Sequence, residues 1–202
     1  MNSIEKYISE VQHTLNLLPI DQIQQVIAVL HDARLSGHQI FIMGNGGSAA
    51  TASHFVCDLG KNTRKPGWPH FKVIGLTDNM AGFSAFANDE GYDSVFARQL
   101  ESLLMPGDVV IGISASGNSP NVINGVIYAR LCGATTVGFS GYNGGQLGQL
   151  VDIHVNVASN CIEQVEDIHL ILEHMVTQAL REQVSSTLSE IIKILEQKSV
   201  VV

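Results

Sequence analysis

The sequence predicts an α/β fold: a five-stranded parallel sheet flanked by helices, with helices ahead of it and one long helix behind. Three observations predict it. Apolar runs at 39–43, 71–77, 109–114, 135–140 and 152–157 are near-continuous rather than alternating, as in strands buried on both faces. Helical patterns fill the intervals at 48–60, 93–105, 119–132 and, more briefly, 145–150. Strand and helix thus alternate, which calls for parallel pairing through right-handed crossovers.

Taken in order, the chain opens with two helical stretches. Residues 2–16 carry Ile4, Ile8, Val11 and Leu15 at helical spacing, and residues 21–36 carry Ile23, Val26, Ile27 and Leu30. Pro19 separates them, and Asp21 is placed to cap the second. The first strand, 39–43, runs into Gly44-Asn45-Gly46-Gly47-Ser48. Residues 62–70, with Pro66, Trp68 and Pro69, form a loop. The third strand runs into Ser114-Ala115-Ser116-Gly117-Asn118-Ser119, and a helical pattern covers about 162 to 197. No linker divides the chain. One domain over 1–202 is expected, with an N-terminal helical region at 1–36, the parallel core at 37–160 and the C-terminal helix at 161–202. The terminal helices carry more apolar surface than a five-stranded sheet alone requires, which suits a helical oligomer interface, with ordinary packing on the sheet as the alternative.

Bulk properties narrow the function classes. Apolar residues are 45% of 202, enough for a full core, and the formal net charge of −8 argues against a general nucleic-acid binder. Lys61, Arg64 and Lys65 are the nearest basic cluster, in a loop. No run reaches membrane-span length. The polar, helical pattern of Met1 to Asn16 shows no secretory signal, and Cys57, Cys132 and Cys161 form no CxxC, so a reducing cytoplasm is expected.

The two glycine- and serine-rich turns carry the chemistry. Each follows a strand and opens a helix. Small residues let backbone N–H groups approach an anion, the helix start adds free N–H groups and a positive dipole end, and serines add hydroxyls. Neither turn matches the P-loop or the dinucleotide fingerprint. Two such turns at strand carboxyl ends converge naturally on one phosphate, so a phosphorylated small molecule is the expected ligand.

The helix after the first turn carries His54 and Asp58, four residues apart and therefore on one face. The C-terminal helix carries Glu166, His169 and His174, with Glu166 and His174 about 80° apart around the axis. Two histidines and two carboxylates suit a divalent metal, zinc being the usual one, or acid–base work in proton transfer. The same spacings also describe a surface ion pair and a structural histidine. The functional reading requires the two helices to meet beside the turns.

These stretches together resemble the phosphoheptose isomerases. The residues are Gly44 to Ser48 followed by His54, Phe86-Ala87-Asn88-Asp89-Glu90-Gly91-Tyr92, Ile113 to Asn121, and Glu166-Asp167-Ile168-His169 with His174. The turns alone mark only the wider sugar isomerase (SIS) class. The resemblance implies a flavodoxin-like SIS domain and a homotetramer with active sites between subunits. It implies interconversion of D-sedoheptulose 7-phosphate and D-glycero-D-manno-heptose 7-phosphate, the entry to ADP- or GDP-heptose for bacterial surface polysaccharide. By the same resemblance Ser114, Ser116 and Ser119, with Ala115 between them, hold the phosphate. Asn45, Gly46, Gly47, Ser48, Asn88, Asp89 and Glu166 bind substrate. His54, Asp58, Glu166 and His174 hold a divalent metal, with zinc first choice. Asp58 is the implied base, with Glu166 as its rival, and His174 the acid.

Two residues depart from the family's usual pattern, which has Glu at position 58 and Gln at position 166. Asp58 is one methylene shorter, setting its carboxylate about 1.5 Å back. Glu166 adds a negative charge beside the metal. Compensation between the two carboxylates, a changed substrate or metal preference, and lost catalysis with retained sugar-phosphate binding all stay open. The rival readings are therefore a non-catalytic sugar-phosphate sensor or assembly protein, and an isomerase of another phosphosugar.

Overall fold

The computed structural model describes residues 2–199, with side chains through residue 183; residues 200–202 of the expected C-terminal region lie outside the described residues. Helix α1 (Ser3–Asn16) starts at a capping box: the Asn2 side chain accepts from the N–H groups of Ile4 and Glu5, and Glu5 accepts from the Asn2 N–H. Helix α2 (Ile20–Ser36) starts after Pro19 and stops at Gly37, whose left-handed φ of 75° ends the helix. Asp21 lies in the first turn of α2 rather than at its cap, where it still complements the helix dipole.

Strands β1 (Gln39–Gly44), β2 (Lys72–Gly75), β3 (Val109–Ser114), β4 (Thr135–Ser140) and β5 (Ile153–Asn156) form one sheet in the order β2-β1-β3-β4-β5, parallel throughout. Between them run α3 (Gly47–Cys57), α4 (Met80–Glu90), α5 (Val95–Leu103), α6 (Pro120–Leu131) and the short α7 (Leu147–Leu150). The C-terminal helix α8 is Ile162–Ser199.

The sheet is covered on both faces. On one, α2, α3 and α8 bury Val26, Leu30, Phe55, Ile168 and Leu172 against Ile40, Ile42, Ile111 and Val137. On the other, α5 and α6 bury Phe96, Leu100, Val122 and Val126 against Phe41, Met43 and Val110. The β1 residues alternate between the two cores, which is why the strand is apolar throughout.

Two elements differ from expectation. Residues 80–90 form a helix with no fully buried residue, and Tyr92–Ser94 adds a 3₁₀ turn. Residues that bury little leave no 3.6-residue apolar stripe to read. The helix expected over 48–60 is α-helical to Cys57 and then widens into a π-helical turn, Asp58–Asn62.

Candidate active site

Strands β1 and β3 are neighbours, and their partnered ends are Gly44 and Ile113. Helix α3 leaves to one face of the sheet and α6 to the other. The crevice between them is the point where strand order reverses, the usual ligand site of an open parallel sheet. The first turn depends on glycine. Gly46 has φ 54° and ψ −122°, a backbone that side chains disfavour, and it caps α3 with no side-chain hydrogen bond. The first N–H groups of α3 therefore have no side-chain cap and are available to an anion. Ser48 is buried beneath them, while Gly46 and Gly47 are exposed.

In the second turn Gly117, at φ 65°, donates its N–H to the Ser114 carbonyl at 2.9 Å, and a Cβ there would run into the Gly144 carbonyl. Ser116 is exposed and its Oγ accepts from the Asn118 N–H at 3.2 Å. Ser119 is half-buried, with its hydroxyl 3.0 Å from that of the buried Ser114. Ala115 is buried and its carbonyl accepts from the Gly141 N–H. Ser116 and Ser119 are therefore the hydroxyls open to an anion, with Ser114 orienting Ser119 from below.

The turns are tied together by Asn45, expected to bind substrate, and by two residues to which the sequence assigns no role, Asn121 and Tyr92. Asn45 and Asn121 exchange amide hydrogen bonds at 2.8 and 2.9 Å, and the Tyr92 hydroxyl donates to Asn45 Oδ1 at 2.9 Å. Tyr92 stands in the Phe86–Tyr92 motif and Asn121 ends the Ile113–Asn121 motif. Both were visible as motif members, but no local pattern assigned them a task.

Three residues expected to meet do so, further along the helix from the first turn. His54 Nε2 lies 3.8 Å from Asp58 Oδ1, and His174 Nε2 lies 4.0 Å from Asp58 Oδ2. The two imidazoles pack edge to face, with centroids 5.0 Å apart. The fourth member is Glu173, whose Oε2 is 3.3 Å from His174 Nε2. One donor atom from each of the four lies within 4.8 Å of every other. Asp58 and Glu173 are buried, and the exposed imidazoles stand above them. Asn62, in the same π-helical turn, donates to Asp58 Oδ1 at 2.6 Å.

Glu173 gives the test of fit for a cation. Both of its carboxylate oxygens are buried and make no hydrogen bond, the His174 imidazole at 3.3 Å being the ion-pair contact of one of them. Burial, then the adjacent Asp58 carboxylate, push its pKa up to about 8. A buried carboxylate without a hydrogen bond, beside a second carboxylate and two imidazoles, fits a divalent ion, which would satisfy all four at once.

Comparison with known proteins places the chain in a family. A family model described as the SIS domain matches residues 2–141. The phosphoheptose isomerase of Aliarcobacter butzleri is 43% identical over 152 residues, covering 74% of this chain and 79% of that one. That of Aquifex aeolicus is 38% identical over 176 residues, covering 87% and 92%. The chain belongs to the phosphoheptose isomerase family. A solved phosphoheptose isomerase from Neisseria gonorrhoeae superposes with a TM-score of 0.81 at 27% identity, covering 89% of this chain and 95% of that one. The SIS fold itself extends further, to a Vibrio vulnificus NanR protein complexed with ManNAc-6P, at TM-score 0.64 and 15% identity over 99% and 68% of the two chains.

For a phosphoheptose isomerase family member, three placements stand out. Glu166, expected beside the metal, is not in the four-residue group. It is half-buried with its carboxylate against Gly47, so that a Cβ on Gly47 would strike it. Its angular position relative to His174 is favourable, but eight residues also separate the two by about 12 Å of helix rise. Glu173 is adjacent to His174 and takes the place. His169 is a core residue: it is buried, with Nε2 on the Ser140 carbonyl at 3.2 Å, and burial lowers its pKa to about 4. Asn88 and Asp89 are exposed at the end of α4 and hydrogen-bond each other at 2.7 Å. Helix α4 itself reaches the site through Phe83, which packs edge-on against Tyr92.

Proposed function

We propose that this chain catalyses aldose–ketose isomerisation of a phosphorylated sugar, interconverting D-sedoheptulose 7-phosphate and D-glycero-D-manno-heptose 7-phosphate on the route to heptose for surface polysaccharide. One observation carries the reading. The start of α3 at the first glycine turn meets the Glu166 carboxylate of α8, and His54 of α3 packs on His174 of α8, so an anion grip, a carboxylate and an imidazole pair line the same two helices. A sugar phosphate spans such a crevice, its phosphate at the second turn and its carbonyl end toward α8.

The chemistry follows. A base takes the proton from carbon 1 of the ketose, an enediol forms as the hydroxyl proton moves from oxygen 1 to oxygen 2, and carbon 2 is reprotonated. Asp58 lies between both imidazoles and accepts from Asn62, which suits a member of the cation-holding group. The half-exposed Glu166 carboxylate, beside the ligand-facing start of α3, suits the base. His174, exposed at the mouth of the group, suits the acid. The phosphate grip at Ser116 and Ser119 supplies binding energy from the non-reacting end. His54, Asp58, Glu173 and His174 would hold the divalent ion, for which zinc is our choice. That ion would supply positive charge opposite the developing enediolate.

The same reading takes the chain as one SIS domain that assembles as a tetramer and works in the cytoplasm. Exposed Ile8 of α1 lines a groove of about 350 Å³ with Val11, Leu170 and Ile171, and Ile4 is exposed on the same helix, an apolar face suited to a second copy. Among the described residues no helix is long and apolar enough to cross a membrane.

The test is proton NMR of D-sedoheptulose 7-phosphate with the purified protein, with zinc and with a chelator. Appearance of the aldose, lost on chelation and restored by zinc, is expected. Tight binding without turnover in either condition refutes the enzymatic reading and favours a sensor.

A further inference from the structure

We infer that Asn121 is a positioning residue whose buried amide, acting through Asn45 and supported by Tyr92, sets the separation of the two ligand turns. The inference rests on the proposed sugar-phosphate reading of the crevice and deepens it.

Strand pairing holds the turns only as far as Gly44 and Ile113. Beyond that point the chain departs to opposite faces, α3 with Ala52 and Phe55 in one core and α6 with Val122 and Ile123 in the other. The crevice is therefore spanned by side chains. Asn121 is 1% exposed. Its Oδ1 accepts from Asn45 Nδ2 at 2.8 Å and from the Val122 N–H at 3.0 Å, and its Nδ2 donates to Asn45 Oδ1 at 2.9 Å. Tyr92 donates to the same Asn45 oxygen. Both lone pairs of that oxygen are then in use, so it has no acceptor capacity left for a sugar hydroxyl. Asn45 thus works as the strut of the first turn, and Asn124 secures the other side by donating to the Asp93 carbonyl at 2.9 Å, holding the Tyr92 turn to α6.

The consequence concerns a ligand that touches both turns. A substrate gripped at Ser116 and reacting at Glu166 requires a fixed distance between the two. Inorganic phosphate, seated at the serine turn alone, does not. Removing the strut penalises the first and spares the second.

The experiment measures kcat/KM for D-sedoheptulose 7-phosphate and the competitive inhibition constant of inorganic phosphate, for wild type, Asn121→Ala, Tyr92→Phe and the double variant. Tyr92 is half exposed, so Tyr92→Phe keeps the fold if Asn121→Ala does not. The expected result is a fall in kcat/KM of about tenfold or more for Asn121→Ala and a few-fold for Tyr92→Phe. The phosphate constant stays within about twofold, and the double variant falls short of the product of the singles. Equal weakening of phosphate and substrate, or unchanged kcat/KM in both single variants, overturns the positioning role while leaving the isomerase reading intact. Wild-type protein that neither turns over nor binds the sugar phosphate overturns both.

Discussion

Glu173 has two buried carboxylate oxygens that make no hydrogen bond, beside the Asp58 carboxylate and the His174 imidazole, and burial pushes its pKa up to about 8. In the ion-free protein it therefore holds a proton at neutral pH, and a divalent ion must displace that proton to bind. Zinc affinity is expected to rise with pH until about 8 and then flatten. Glu173→Gln removes that component: zinc titrated into weakly buffered protein at pH 7 should release nearly one proton fewer than with wild type. Equal release from both would take Glu173 out of the cation site. At the opposite end of the crevice, Ser116 is the exposed hydroxyl of the serine turn. Ser116→Ala should raise KM for the sugar phosphate about tenfold, one hydrogen bond to a charged group, with kcat changed less than threefold.

At the scale of elements, α3 and α8 determine the site together. Gly47 opens α3, and a Cβ there meets the Glu166 carboxylate of α8. That carboxylate is the far end of a flexible side chain and gives way, so Gly47→Ala should leave the melting temperature within about 2 °C. The displaced Glu166 should lower kcat by about 10- to 100-fold. Unchanged kcat in this variant would remove Glu166 from the reacting end. These contacts also show what the sequence made legible. The turns were readable because glycine and serine at a strand-to-helix junction have a local cause. His54 and Asp58 were readable because four residues on a helix fix both angle and height. Glu166 was assigned by angle and family pattern without the rise of two turns, and Glu173 next to His174 was given no role. Helix α4 was missed because it buries no residue fully. The Asn45–Asn121 pair joins residues 76 apart in the chain, and no local periodicity encodes such a contact.

For the whole molecule, the doubly wound sheet explains why so much converges on one edge. Parallel strands put every βα turn at their carboxyl ends, and the reversal between β1 and β3 opens the crevice there. Helix α8 crosses behind it and is pinned to β4 by His169, which is buried on the Ser140 carbonyl with a pKa near 4, below its ordinary 6.5. The neutral form is needed for folding. Above pH 6.5 the residue is neutral in both states. As pH falls below 6.5 the unfolded chain takes a proton that the native core refuses, and stability drops until about pH 4. Between pH 6.5 and 5 the contribution is roughly 2 kcal/mol. Urea unfolding of wild type and His169→Leu at pH 7 and pH 5 should show a loss smaller by about that amount in the variant. The same loss in both would mean that His169 accepts a proton in the native state.

The most direct measurement is where deuterium enters the product. With D-sedoheptulose 7-phosphate and zinc-loaded protein in D₂O, proton NMR should show the aldose carrying deuterium at carbon 2, because a base removes one proton to an enediol and solvent-exchanged acid returns another. Glu166→Gln should abolish that incorporation while still binding zinc. Product formed with full activity by Glu166→Gln, or sugar phosphate bound by the wild type with no deuterium entering any carbon, would contradict the account.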